Sequence, residues 1–380
     1  MTEDQKPNSG VGEFNQNEEQ PTGVSSPPPS TIDTTNSPTP TPSSHKTGLF
    51  VVLGGIVILL GIATYLLVHH ATKKTPVAAK LTEVNVHMGW LNQAQFAGFY
   101  VAKEKGFYKA VGLDVRLHEF QDGEDLNQEV SDGKVDFGTS TPLEVIAARD
   151  KGNKVRAVAA IYQTSPYCFV SPKSANIQTP ADLKGKILGY VGNNTEAQVA
   201  YPALMTSYGI TTAQATIKDV DFDIVKNFQT HAADTADVYR TDQTYLLDKA
   251  GISYNILLPE QFGFGLYGDV VIASDNTIKN HPKIADAFTK ATLKGEQYAI
   301  DHQDEALVAT AKYENALYKD PAYEKYILKN SIPLIKPTGN QPLGNMEFVP
   351  WNRAYQAMKT ANLLKNSFNV SDVYTTEFIN

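Results

Sequence analysis

The sequence predicts an α/β protein of two successive lobes, preceded by one transmembrane helix and a disordered N-terminal tail. Three observations carry that expectation. The first 46 residues hold almost no large apolar side chains, and residues 48–68 run for 21 positions without a charge. From Leu81 to Asn380 the composition is well mixed, and short apolar runs alternate with amphipathic stretches in a pattern that restarts once. Such alternation implies largely parallel sheets covered by helices. At 380 residues the chain has the length of two to three folding units.

The tail, residues 1–47, is rich in Pro, Ser and Thr from Pro21 onward (PTGVSSPPPSTIDTTNSPTPTPSSHKT). It cannot bury enough apolar area to offset chain entropy, and its prolines favour extended conformers. A docking motif or glycosylated stalk is the functional alternative. The run GLFVVLGGIVILLGIATYLLV (48–68) is apolar on every face, which suits lipid better than a globular core. As a helix it covers roughly 30 Å, the thickness of a hydrocarbon core. The polar residues ahead of it argue against a cleaved signal, and no cysteine follows that could take a lipid.

Orientation is contested by charge. Lys46 precedes the span, whereas His69, His70, Lys73, Lys74 and Lys80 follow it in or just after the linker 69–80, which leans toward a cytoplasmic C-terminal part. Large domains translocate regardless of such small biases. The expectation is a single-pass protein of the cell membrane with its C-terminal domain outside the cytoplasm.

Within the soluble part, strands are expected at Val84–Met88, Leu113–Leu117, Val135–Gly138 and Val155–Ile161, and helices at Gln95–Ala110, Glu124–Ser131 and Pro142–Lys151. The second series has strands at Lys186–Val191, Ile217–Phe222, Thr235–Tyr239 and Ile252–Leu258. Its helices are Glu196–Ser207, Asp223–Ala232 and Thr241–Ala250. A strand at Asp269–Ala273 and a helix-rich end from His281 to Leu364 return the chain. Lobe 1 is thus expected over 81–170 and 270–380, and lobe 2 over 171–269, with crossings near Tyr167–Ser171 and Gly268–Val271.

Charge and composition exclude several functions. The formal charge of −8 lacks the cation surplus a general nucleic-acid binder needs. A single cysteine, Cys168, permits no internal disulfide and no cysteine-based metal cage. The eight histidines never fall into HxH or HExxH spacing, so no metal is expected. GYVGNNTEAQVA (189–200) lacks both GxGxxG and GKS/T patterns, so nucleotide binding is not supported. No Ser–His–Asp set or paired catalytic acids can be read. His87 and His118, at strand positions, read as structural.

The stretch GWLNQAQFAGFYVAKEKGFYKAVGLDVRLHEF (89–120) resembles the opening of solute-binding proteins of ABC importers, of the thiamine-precursor and nitrate, sulfonate or riboflavin type. Four further strings agree in order: DGKVDFGTSTPLEVIAARDKG (132–152), VAAIYQTSPY (158–167), IQTPADLKGKILGY (177–190) and LYGDVVIAS (266–274). The resemblance spans roughly 81–365. It implies the two-lobed, Venus-flytrap fold of type II periplasmic binding proteins, an ABC permease and ATPase as partners, no cofactor, and a ligand gripped between lobes. The residues make sense on their own terms. Gly106 suits a helix end, Lys103 and Lys105 suit the negative end of that helix, and Phe99, Val101, Ala102 and Phe107 make a core face.

In open α/β sheets, ligands collect beyond the carboxyl ends of strands. Trp90, Asn92 and Gln93 follow the first strand, offering a flat apolar face and amide groups; core packing is the alternative for Trp90. Thr139, Ser140 and Thr141 follow another strand and offer hydroxyls, with helix capping as the alternative. Gln163 follows a third. In lobe 2, Gly192 and Asn193 suit a tight turn, while Asn194 or Thr195 suits a helix cap. Glu196 is a favourable charge at a helix start or an acceptor for an aminopyrimidine. Asp237 and Tyr239 end a strand, and Tyr267 lies near the return crossing.

Arg240 is the one cation among these strings, against Glu196 and Asp237. An oxyanion would need fixed positive charge, so a flat heterocycle such as a hydroxymethylpyrimidine is expected. The alternatives are riboflavin, a sulfonate or nitrate, or an enzyme of thiamine pyrimidine biosynthesis. The fungal enzymes that resemble this fold carry a cysteine-rich run with no counterpart here. A membrane-bound sensor is the third class, without a signalling domain in the tail to support it.

Overall fold

A computed structural model describes residues 61–65, 80–121, 123–191, 195–315, 319–337, 339 and 341–379, with the side chain of Thr195 excepted. Two units are distinguished, Met1–Thr75 and Pro76–Asn380. In the first, residues 61–65 are helical and exposed. The rest of the expected span 48–68, the tail 1–47 and nearly all of the linker lie outside the described residues. Among the described residues, no helix is long and apolar enough to cross a membrane.

The second unit holds two five-stranded sheets. In chain order its first elements are β1 (Thr82–His87), α1 (Ala97–Glu104), α2 (Phe107–Ala110), β2 (Leu113–His118), α3 (Leu126–Asp132), β3 (Phe137–Ser140), α4 (Pro142–Asp150), β4 (Val155–Ala160) and β5 (Tyr167–Pro172). There follow β6 (Ile187–Tyr190), α5 (Thr195–Ser207), β7 (Thr216–Asp219), α6 (Ile224–Gln229), β8 (Thr235–Tyr239), α7 (Thr244–Lys249), β9 (Tyr254–Leu257) and β10 (Val270–Ser274). The chain ends through α8 (Asp275–Asn280), α9 (Pro282–Asp301), α10 (Gln303–Thr310), α11 (Pro321–Ile335) and α12 (Phe348–Thr360).

The sheet of lobe 1 has the order β2-β1-β3-β10-β4, and that of lobe 2 has β7-β6-β8-β5-β9. Each contains parallel pairs and one strand antiparallel to both neighbours, β10 in the first and β5 in the second. In each sheet the antiparallel strand is the first to form after the chain has crossed from the other lobe. Side-chain alternation shows that the sheets are buried on both faces. In β10, Val271 and Ala273 enter one core cluster while Val270 and Ile272 enter another. In β5, Tyr167 and Phe169 point to one side and Cys168 and Val170 to the other. Continuous apolar runs are what such two-sided burial demands.

Two features differ from the expectation. The helix expected over Gln95–Ala110 is a short 3₁₀ turn at Ala94–Phe96, then α1 and α2. The break is at Gly106, whose φ of 72° is a left-handed conformation that favours glycine. Strand β5 was not expected, and it belongs to the second sheet. The first crossing therefore lies at 161–166, ahead of the expected 170/171 boundary, and the return crossing at 263–269. The two crossings are hydrogen-bonded to each other. Ile161 N–H donates to the Asp269 carbonyl (2.8 Å), Gly268 N–H to that of Tyr162 (3.0 Å) and Ser165 N–H to that of Leu266 (3.0 Å).

The lobes touch along a second line. In α7, Tyr245 stacks on Tyr323 of α11 at 5.1 Å, Thr244 Oγ1 lies 3.0 Å from the Tyr326 hydroxyl, and Lys249 pairs with Asp320 at 2.9 Å. Beyond the strand ends the lobes also meet directly, where Gln93, after β1, donates to Asp242, after β8, at 3.0 Å.

Candidate functional site

Beyond β1 the chain turns through Gly89 and brings up the Trp90 ring. The indole is half-buried. It lies 5.7 Å from the ring of Phe120 at 27°, and 6.0 Å from the ring of Phe222 at 36°. Phe120 follows β2 in lobe 1, whereas Phe222 precedes α6 in lobe 2 and is 49% exposed. Three flat rings from both lobes therefore pack together where the lobes meet. Stacking of this kind suits a planar guest.

Next to the rings, a chain of amides and acids runs from one lobe to the other. Gln93 is buried and donates from Nε2 to Gln95 Oε1 and to Asp242 Oδ2, both at 3.0 Å. Gln95 Nε2 donates to Asp269 Oδ2 at 2.5 Å, and the Tyr239 hydroxyl donates to Asp269 Oδ1 at 3.2 Å. Asp242 also accepts from the Tyr323 hydroxyl and from Gln243 Nε2. The Gln93 Oε1 and the Tyr167 hydroxyl are buried with no hydrogen-bond partner. Buried polar atoms are costly to leave unsatisfied.

The acids are unusual in number and in company. Glu196, on the first turn of α5, is 5% exposed. Burial pushes its carboxyl well above the ordinary range, and the nearby Glu144, Asp269 and Asp237 push it further. Burial raises Asp269 to about 6, Asp237 to about 7 and Asp242 to about 7. Glu296 and Glu324 are each raised to about 8, again by burial first. Among the described residues, none of the ion pairs involves Glu144, Glu196, Asp242, Asp269, Glu296 or Glu324. Arg240 is instead paired with Glu260 at 3.1 Å.

This has a consequence for stability. Each of these acids has a folded-state value above its ordinary one near 4, so the native protein binds more protons than the unfolded chain between the two. The stability they contribute is fully present below about pH 4 and is lost as pH rises through their folded values, about 6 for Asp269, 7 for Asp237 and Asp242, and 8 for Glu296 and Glu324. The ligand-free protein is therefore expected to melt at a higher temperature at pH 5.5 than at pH 8.5. A melting temperature that climbs steadily over that interval would contradict the assignment.

Several expected site residues have their polar atoms committed to the scaffold. The Asn92 Oδ1 accepts from the Tyr100 hydroxyl at 2.9 Å, and the Thr139 Oγ1 accepts from Gly89 N–H at 2.7 Å. Ser140 donates to Asn127 and Glu144, and Thr141 caps α4 reciprocally with Glu144. Gln163 donates to the carbonyls of Ala160 and Asn345, away from the rings. Tyr267 packs on Trp351 and accepts from Glu347 N–H at 2.8 Å, in the core of lobe 1. For Gln163 and Tyr267 the position beside a crossing misled: hinges need hydrogen-bonded support as much as a ligand needs contacts. Gly192, Asn193 and Asn194 lie outside the described residues, and Thr195 begins α5. Of the expected residues, Gln93 and Tyr239 join one hydrogen-bonded chain through Gln95 and Asp269, Trp90 meets Phe120 and Phe222, and Glu196 and Asp237 are buried.

Sequence reasoning missed Gln95, Phe120, Glu144, Phe222, Asp242 and Asp269. Asp269 left one signal, a lone acid opening an apolar strand in LYGDVVIAS. His87 also has company that spacing did not show. Its Nδ1 lies 2.7 Å from Glu129 Oε2 and its Nε2 lies 3.1 Å from Glu124 Oε2. Among the described residues, this is the one group of three ligating side chains within reach of a single ion. The carboxylates meet different ring nitrogens, an arrangement that holds the imidazole in place. Cys168 is buried in β5, and burial holds its thiol far above the ordinary range, which makes it a poor nucleophile.

Known proteins agree with the fold. The alkanesulfonate-binding protein SsuA of Xanthomonas axonopodis pv. citri, solved with MOPS, matches with a TM-score of 0.61 at 15% identity, over 79% of this chain and 100% of its own. The two-sheet α/β architecture is thus that of periplasmic binding proteins. The riboflavin-binding protein RibY of Chloroflexus aurantiacus is 26% identical over 343 residues, 85% of this chain and 97% of its own length. A 4-amino-5-hydroxymethyl-2-methylpyrimidine phosphate synthase of Legionella pneumophila is 25% identical over 314 residues, 78% of this chain and 92% of its own. The family model described as NMT1/THI5 like matches residues 93–306, more than half of the sequence. The chain belongs to the NMT1/THI5-like family.

Proposed function

We propose that this protein is the solute-binding component of an ABC importer, that it grips a flat pyrimidine-type heterocycle between its lobes, and that it does no chemistry on it. One observation carries the reading: aromatic rings of both lobes meet at Trp90, and the buried acids Glu196, Asp242 and Asp269 are in no ion pair among the described residues. An oxyanion such as a sulfonate or nitrate needs positive charge or free N–H groups. A pyrimidine edge, alone or fused into a flavin, instead offers ring N–H or amino donors to carboxylates and amides. Burying one ring and making several hydrogen bonds suffices for micromolar binding or better. Hinge motion at 161–166 and 263–269 would present the closed shape to the permease. Residues 48–68 would hold the domain at the outer face of the cell membrane.

The test is calorimetric titration of the full-length protein in detergent with riboflavin, 4-amino-5-hydroxymethyl-2-methylpyrimidine, MOPS and nitrate. Binding of a heterocycle that is recovered unchanged is the expected result. Tight binding of MOPS or nitrate alone, or conversion of the ring, would overturn it.

A further inference from the structure

One buried histidine has a ring nitrogen that the fold leaves unused. His87 closes β1 and is 4% exposed. Its Nδ1 lies 2.7 Å from Glu129 Oε2 of α3, and because a carboxylate only accepts, Nδ1 carries the proton. In the neutral ring, Nε2 then presents a lone pair. Nε2 is buried and makes no hydrogen bond, yet Glu124 Oε2 stands 3.1 Å from it. Two acceptors at that separation repel unless positive charge lies between them. A proton on Nε2 would supply the charge together with a hydrogen bond to Glu124, and no such bond is made. Among the described residues, neither glutamate pairs with a lysine or arginine.

The separation fits two adjacent ligands of one metal ion. Zinc takes imidazole nitrogen and carboxylate oxygen at about 2.0–2.2 Å, which sets neighbouring ligands roughly 3–3.5 Å apart. One donor atom from each of His87, Glu124 and Glu129 lies within 4.8 Å of the other two. Glu129, bonded to Nδ1–H, supplies the outer contact that metal-bound imidazoles usually have, fixing the tautomer and the ring orientation. An imidazole favours zinc-like ions over magnesium or calcium, which take oxygen ligands.

We infer that His87 and Glu124, backed by Glu129, form a site for a divalent cation of the zinc type. The three side chains come from the end of β1, the turn ahead of α3 and α3 itself. Both glutamates are distant from His87 in sequence, so no spacing motif announces the site. Phe120, stacked on Trp90 at 5.7 Å, and Glu119, which accepts from Asn92 N–H at 2.9 Å, lie between β2 and that turn. An ion held here therefore steadies the connection on which Phe120 meets Trp90.

The full-length protein in detergent, stripped with EDTA and dialysed, is titrated calorimetrically with zinc chloride and with magnesium chloride. The expected result is a zinc site of about micromolar affinity, at least a hundredfold weaker for magnesium, and a Tm raised by about 3 °C or more at saturating zinc. Glu124→Gln should weaken that site at least tenfold and abolish the rise in Tm, and His87→Ala should remove the site. The Glu124 side chain is 36% exposed, so Glu124→Gln carries the test even if His87→Ala does not fold. Zinc bound equally well by the native protein and by Glu124→Gln, as exposed histidines elsewhere in the chain would bind it, overturns the inference. So does magnesium binding as tight as zinc binding, or a native protein that takes up no zinc.

Discussion

Gly295→Ala is expected to be the most destabilising small substitution in the molecule, at about 3 kcal/mol. Helices α1 and α9 cross at Gly98 and Gly295, and the close approach exists because neither carries a side chain there. A β-carbon on Gly295 falls on the Gly98 carbonyl oxygen, well inside van der Waals contact, and 2.8 Å from the β-carbon of Ala102. The carbonyl is backbone and cannot swing aside. The helices must therefore separate, in a core where Phe99, Val101, Ala102, Phe288 and Ala291 are buried together. Overpacking of that kind costs about 1–3 kcal/mol, and a backbone clash belongs at the upper end. Tm should drop by roughly 6–10 °C, read by thermal unfolding with tryptophan fluorescence. A drop under 2 °C would mean that the two helices spread apart at little cost, and the close crossing would then not be a constraint.

Nothing in the local sequence around Gly295 (ATLKGEQYAI) marks it as a contact point, because the partner glycine is almost 200 residues away. This separates what was legible from what was not. Strands such as β1 and β10 announce themselves, since Val84 and Val86, or Val270 to Ala273, are β-branched or small and buried. The strand-end rule pointed to Gln93 beyond β1 and Tyr239 at the end of β8, which the structure joins through Gln95 and Asp269, because a parallel sheet fixes where its carboxyl ends point. Strand β5 escaped notice because YCFVSP is short and follows Ser165 and Pro166, which look like a turn. The acids of the cleft escaped for a different reason. Asp242 and Asp269 are ordinary surface residues in sequence terms, and their partners come from distant segments: Gln93 and Tyr323 for Asp242, Gln95 and Tyr239 for Asp269. Burial that depends on segments far apart in sequence has no local signature.

Trp90→Ala is expected to weaken ring binding by at least tenfold while leaving the fold in place. Two physical estimates lead to that figure. Stacking between aromatic faces contributes about 0.5–1.5 kcal/mol beyond area burial, and the indole face removes a comparable apolar area from water when a ring covers it. Their sum passes the ~1.4 kcal/mol that separates affinities by tenfold. The fold should survive because Trp90 is only half-buried and packs at the edge of the lobe 1 core, not within it. Trp351, fully buried against Tyr374 at 5.5 Å in the second core cluster of lobe 1, remains as a fluorescent reporter of the fold. The conservative change Trp90→Phe should retain most of the affinity, since Phe120 and Phe222 would still meet an aromatic face. Phe222 is the independent arm of the same argument. It reaches the cluster from lobe 2, so Phe222→Ala should weaken binding mainly by speeding ligand release from the closed form. Calorimetry showing unchanged affinity in Trp90→Ala, with Trp351 fluorescence native, would remove the ring cluster from the binding site and with it the case for a planar guest.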